Sequence, residues 1–147
     1  MDTRTINEHY AEIGAELIKK KPLLRKIEDT SIVYLSSTLK KRSADKIIKA
    51  QCEKISEKYK WSIPCDFTIT VFEPNCIGMS EKQMEILIYH ELLHIKIDED
   101  GNYSVRPHDL EDFRVIIDEY GVDWDKVEEQ IQNNEEGRKH ENNDVGM

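Results

Sequence analysis

Cysteine is scarce and unpatterned. Cys52, Cys65 and Cys76 are odd in number and none belongs to a Cys-x-x-Cys pair, which argues against a disulfide framework and a thiolate zinc site. Nothing marks a low-pKa environment that would make one of them a nucleophile, so all three are expected to be reduced and partly buried. Long hydrophobic runs are missing as well. No stretch approaches membrane-spanning length, and the opening Met-Asp-Thr-Arg leads into no apolar signal core, so an intracellular, soluble protein is expected. The third shortage is positive charge: 21 Lys and Arg face 30 Asp and Glu, a net charge of -9. That balance disfavours an autonomous binder of nucleic acid or anionic membrane. Basic residues gather at Lys19, Lys20, Lys21, Arg25 and Lys26 and again at Lys40, Lys41 and Arg42, and these read as a solvated helix end and a solvated turn.

What the chain does have is enough apolar residue, 38% of 147, for one compact domain. Ile6, Tyr10, Ile13 and Leu17 recur at helical steps, predicting a helix over about residues 5–20 that Pro22 stops. Residues 31–36 and 66–72 are β-branched and aromatic and read as strands. Between them, residues 46–59 fit either a helix or a strand, and a strand followed by a helical turn is preferred. Ser80-Glu-Lys-Gln83 has the form of a capping box, so a helix should begin near Glu81 and keep its apolar spacing through Met84, Leu87, Ile88, Leu92 and Ile95 until Asp98-Glu-Asp-Gly101 ends it. A polar loop with Tyr103 and Arg106 follows. A helix then opens at Pro107 and is capped by Gly121, and a last short helix starts at about Asp123 with Trp124, Val127 and Ile131. The domain is read as residues 1–132, with a core over about 31–124. Residues 133–147 form a polar tail with too little apolar side chain to order it.

The chemistry is concentrated in His90-Glu91-Leu92-Leu93-His94, in the middle of the predicted helix. Histidines four apart on a helix project from one face and can share a Zn²⁺ ion at about 2.1 Å. Glu91, offset from that face, can act as general base toward the attacking water. Leu92 and Leu93, with Ile88 and Ile95, can bury the helix and hold the ligands rigid. The preceding strand at 66–72 is expected at the sheet edge, aligning an extended peptide beside the motif. Catalytic zinc takes three protein ligands and keeps one position open. His108, at the start of the next helix, is the first choice for the third, and Glu111 and Asp112 are its rivals as ligand or as partner of a ligand imidazole. Tyr103, Arg106 and Tyr89 are candidates for stabilising an oxyanion, whereas His9 and His140 read as bystanders.

Ile88-Tyr-His-Glu-Leu-Leu-His94, Pro107-His-Asp-Leu-Glu-Asp-Phe113 and Tyr120-Gly-Val-Asp-Trp124 together resemble the phage metallopeptidase family over roughly residues 31–124. More distantly they are similar to the SprT-like and Spartan-type zincins. The resemblance implies an α+β, minimal zincin-like domain: a small, mostly antiparallel sheet packed on the HExxH helix, with flanking helices. It also implies zinc as cofactor, His108 as third ligand, Phe113 packed beneath the metal, a protein or peptide substrate, and a phage or prophage product acting in the cytoplasm of a bacterial host. SprT-like proteins often carry a basic or cysteine-rich zinc-ribbon extension. This chain ends instead in an acidic polar tail, so direct binding of nucleic acid is not expected. The alternative to a zinc endopeptidase is a non-catalytic, zinc-stabilised interaction module that binds a host protein.

Overall fold

The computed structural model describes residues 2–106, 114–121 and 124. Strand β1 (Arg4–Ile6) leads into helix α1 (Glu8–Lys20). Asn7 caps that helix by accepting the Tyr10 N–H at 2.9 Å, which satisfies one of the donors a helix start leaves orphaned. The helix therefore begins two residues past Ile6. Ile6 lies on an edge strand, 66% exposed, rather than on the helix stripe, while Tyr10 and Leu17 are buried as their spacing predicts. Pro22 ends α1 as expected and opens a 3-10 turn over Pro22–Ile27.

Strand β2 (Ile32–Ser37) is followed by a two-residue hairpin of β3 (Arg42–Ser43) and β4 (Lys46–Ile47), then by β5 (Ala50–Lys54), a 3-10 turn at Glu57–Tyr59 and β6 (Phe67–Phe72). The ambiguous middle segment is thus strand followed by a helical turn. Helix α2 (Glu81–Leu92), strands β7 (Ile95–Ile97) and β8 (Tyr103–Val105), and helix α3 (Arg114–Tyr120) complete the order. Gly121, at φ 86°, follows α3 in the left-handed conformation that a helix-terminating glycine adopts cheaply.

The architecture is α+β. Four strands form one sheet in the order β1-β2-β6-β5, in which β2 and β6 run parallel and the two outer pairs antiparallel. Strand β6 is therefore internal, with Phe67, Ile69, Thr70, Val71 and Phe72 all buried, and the expectation that it forms the substrate-facing edge does not hold. Its alternation predicts one wet face, but both faces are covered. On one side Tyr34, Cys52, Phe67, Ile69 and Val71 join Tyr10 and Leu17 of α1 and Ile86, Leu87, Ile88 and Leu92 of α2 in a single core. On the other, Phe72 lies under the side chains of Arg4 and Lys41, whose charged groups stand 5.8 and 5.4 Å from the ring centre.

Helix α2 closes earlier than its apolar spacing predicts. Ile95 belongs to β7, which pairs with β8 in a hairpin (Ile95 opposite Val105, Ile97 opposite Tyr103) where the sequence suggests helix and loop. The acidic turn serves that hairpin: the Asp98 side chain accepts the N–H groups of Asp100 and Asn102, which holds its carboxyl below the ordinary range, and Gly101 at φ 83° completes the reversal. Among the described residues no helix is long and apolar enough to cross a membrane.

Candidate metal centre and its cleft

Helix α2 carries the histidine motif at its C-terminal end, not in its middle. Its start is set by the capping box: the Ser80 hydroxyl accepts the Gln83 N–H at 3.1 Å, and the Gln83 side chain accepts the Ser80 N–H at 2.8 Å. The helix then presents Ile88 and Leu92, both fully buried, to the core, which fixes its rotation and brings Leu87, His90 and Glu91 together away from them. After Leu92 a final tight turn forms. The Leu93 N–H reaches Tyr89 O at 3.0 Å and the His94 N–H reaches Glu91 O at 3.1 Å. His94 therefore still sits one turn above His90, although it precedes a strand.

The hairpin that follows then holds the His94 ring. Backbone Arg106 donates its N–H to His94 O at 2.6 Å, and the His94 Nδ1 lies 2.7 Å from Arg106 O. A carbonyl oxygen only accepts, so Nδ1 carries a hydrogen, and in the neutral form of that tautomer the lone pair lies on Nε2. An imidazole oriented through one nitrogen by a backbone carbonyl is the arrangement found at metal-ligating histidines. The two imidazole centres lie 5.3 Å apart in an edge-on arrangement. His90 Nε2 stands 3.8 Å from the Glu91 carboxylate, and Glu91 is only 4% exposed. Ligand atoms of His90, Glu91 and His94 all fall within 4.8 Å of one another, and two imidazoles with a buried carboxylate suit a first-row divalent cation.

These residues line a cleft of about 810 Å³ between α2 and the segment from Asp45 to Cys52. The terminal strand of the sheet on this side is β5, not β6, and Ala50, Gln51 and Cys52 of β5 line the cleft with Leu87, Val105 and Trp124. Burial pushes the Cys52 thiol well above its ordinary range, and the Glu91 and Glu53 carboxylates push it further, so Cys52 is a protonated wall of the cleft. Trp124 is held against α2 by Gln83, whose amide donates to Trp124 O at 3.1 Å, and the Trp124 ring lies 6.0 Å from that of His90. Gln83 thus caps the helix start and anchors a cleft wall. Nothing in the local sequence signals that second task, because the contact spans forty-one positions.

The other candidates divide. His108, Glu111, Asp112 and Phe113, as well as His140, most of the last predicted helix and the 133–147 tail, lie outside the described residues. Tyr89 is buried in the core with the Lys21 ammonium 5.1 Å from its ring, and burial raises its hydroxyl pKa. Tyr103 packs on Phe67 at 5.7 Å, under Lys60. Arg106 lines a separate groove with Leu92, Leu93 and Ile95, and its backbone holds His94 through both its N–H and its carbonyl. His9 pairs with Glu81 on the outside of α1 and α2.

The family model described as "Putative phage metallopeptidase" matches residues 3–132. The chain belongs to this family. No curated protein and no solved structure matches it. Membership, together with the His-Glu-His cluster, points to a metal and to protein or peptide substrates.

Proposed function

We propose that the chain is a zinc-dependent endopeptidase, phage or prophage encoded, acting in the cytoplasm of the host cell. His90 and His94 hold the ion, and His108 is the third ligand, with Glu111 or Asp112 as the alternative. The observation that carries the reading is the grouping of His90, Glu91 and His94 on one wall of a cleft whose opposite wall is the terminal strand of a sheet. Bound zinc would polarise the scissile carbonyl and acidify the attacking water.

The chain's own residues supply the rest. Glu91, buried beside the two imidazoles, takes the proton from the attacking water and delivers it to the departing amine, so one carboxylate serves as base and then as acid. The Arg106 carbonyl keeps His94 in one tautomer and one orientation. β5, the terminal strand of the sheet among the described residues, offers its outer backbone edge to an extended substrate, which places a peptide bond across the cleft in front of Glu91.

The test compares wild type with Glu91→Gln on a mixed peptide library, with products read by mass spectrometry and bound zinc measured in parallel. Hydrolysis should fall at least about 100-fold while zinc is retained, since general acid–base groups contribute roughly 10²–10⁴ in rate. Equal hydrolysis by Glu91→Gln would overturn the assignment. No hydrolysis by a zinc-loaded wild type would favour a non-catalytic binding module.

A further inference from the structure

The segment from Leu39 to Ala50 holds five basic residues, Lys40, Lys41, Arg42, Lys46 and Lys49, against one acid, Asp45, in a chain whose net charge is -9. Sequence alone suggests a solvated turn at Lys40, Lys41 and Arg42, but the fold brings the adjoining residues to the cleft, which residues 45–49 line on the wall facing His90 and Glu91. Its tip is the β3–β4 hairpin, with Arg42 opposite Ile47 and Ser43 opposite Lys46. Arg42 and Lys46 are exposed, and neither has an ion-pair partner among the described residues. Lys41, by contrast, is tied to Gln51 Oε1 at 2.7 Å, which fastens the hairpin's base to β5.

We propose that the β3–β4 hairpin is a specificity element, in which Arg42 and Lys46 select substrates carrying acidic side chains on the side of the scissile bond that lies over the hairpin. This deepens the peptidase reading and rests on it. An extended chain laid along β5 toward Ala50 passes into the segment that carries these charges, so a carboxylate a few residues from the cleaved bond comes within reach. Two uncompensated cations beside a cleft raise the local concentration of anionic ligands and penalise basic ones. A peptide fits this footprint better than a nucleic acid does. The basic surface at the cleft is confined to one hairpin, too short to track a long polyanion along a chain whose net charge is -9.

The experiment measures binding of short fluorescent peptides, identical except for Glu, Gln or Lys at the positions flanking the central bond, and of a single-stranded oligonucleotide. The full zinc-loaded chain is used with Glu91→Gln to prevent turnover, and hydrolysis is followed separately with wild-type Glu91. The Glu peptide should bind about tenfold tighter than the Gln peptide, the order expected for two exposed ion pairs. The preference should shrink as salt rises and invert toward the Lys peptide in Arg42→Glu/Lys46→Glu, while Lys19→Glu/Lys20→Glu, the same charge change outside the cleft, should keep it. A preference insensitive to salt would overturn the proposal whether or not the double variant folds. So would an unchanged preference in a double variant that melts like wild type, or tighter binding of the oligonucleotide than of the Glu peptide. Charge-dependent binding without hydrolysis would sink the peptidase reading alone. Hydrolysis of all three peptides at equal rates, with equal binding, would sink the specificity proposal alone.

Discussion

Gly14→Ala offers a steric test of how α1 is seated on the sheet, and the structure sets two effects against each other. Replacing glycine inside a helix by alanine ordinarily stabilises it by about 0.5–1 kcal/mol, because less backbone freedom is lost on folding. Here the added Cβ would lie 2.0 Å from the Tyr34 hydroxyl oxygen, 2.4 Å from Cζ and 2.8 Å from Cε2. Carbon atoms rest at about 3.5–4.0 Å, so the ring or the helix must yield by more than 1 Å. Tyr34 is 5% exposed in the centre of the core and has little room to yield. Overpacking of this kind costs about 1–3 kcal/mol, which exceeds the propensity gain and leaves a net loss of about 1–2 kcal/mol. For a chain of this size that lowers Tm by about 2–8 °C in calorimetry. Gly14→Ala combined with Tyr34→Leu should be less destabilising than the sum of the two single changes, because the larger ring is the obstacle. A Gly14→Ala protein that melts at or above the wild-type temperature would refute the packing.

Other expectations follow from the same geometry. Ser80→Ala removes one half of the capping box and should cost about 1 kcal/mol, visible as a lower denaturant midpoint at an unchanged slope. The thiols are free and buried, and burial raises Cys52 and Cys65 and pushes Cys76 up from 9.0 to about 11. A raised thiol pKa means that the folded state keeps a proton the unfolded state has lost. Stability should therefore fall as pH rises from about 9 toward 11, and Tm against pH checks the sign. For the same reason alkylation at pH 8 should be slow in the native protein and fast in guanidinium; rapid native labelling of Cys52 would contradict its placement. His94→Ala should abolish both metal binding and hydrolysis, and substitution of Val105, whose backbone pairs with Ile95 beside His94, by proline should weaken metal binding without touching a ligand.

Local signals were legible in the sequence and long-range ones were not. The Ser80–Gln83 cap, the Pro22 stop and the His90–His94 spacing depend on residues within one turn of each other, and all three appear in the structure. The α+β class follows from the elements themselves. The place of a strand in its sheet is different: β6 is expected at the edge because it precedes the motif helix, and with one wet face because Thr68 and Thr70 alternate with apolar residues, yet it is internal and Thr70 is fully buried beneath a layer that Arg4 supplies from the far edge, its guanidinium 3.4 Å from the Thr70 hydroxyl. β7 escapes detection because Leu92 and Ile95 satisfy helical spacing, and what stops the helix is pairing with β8, eight or more residues on. Residues 4–6 blend into the helix stripe for the same reason: their partners are residues 35–37. The Lys40–Lys49 charges were visible, but not their location on the cleft, which depends on α2 packing against β5.

Whether His90 and His94 hold a metal is decided by the metal content of the untagged protein, measured by elemental mass spectrometry for wild type, Glu91→Gln and His90→Ala. About one zinc per chain is expected in the first two and loss of it in His90→Ala, whose remaining ligands cannot close the site. Wild-type protein that takes up no divalent metal when zinc is offered at neutral pH would contradict that expectation.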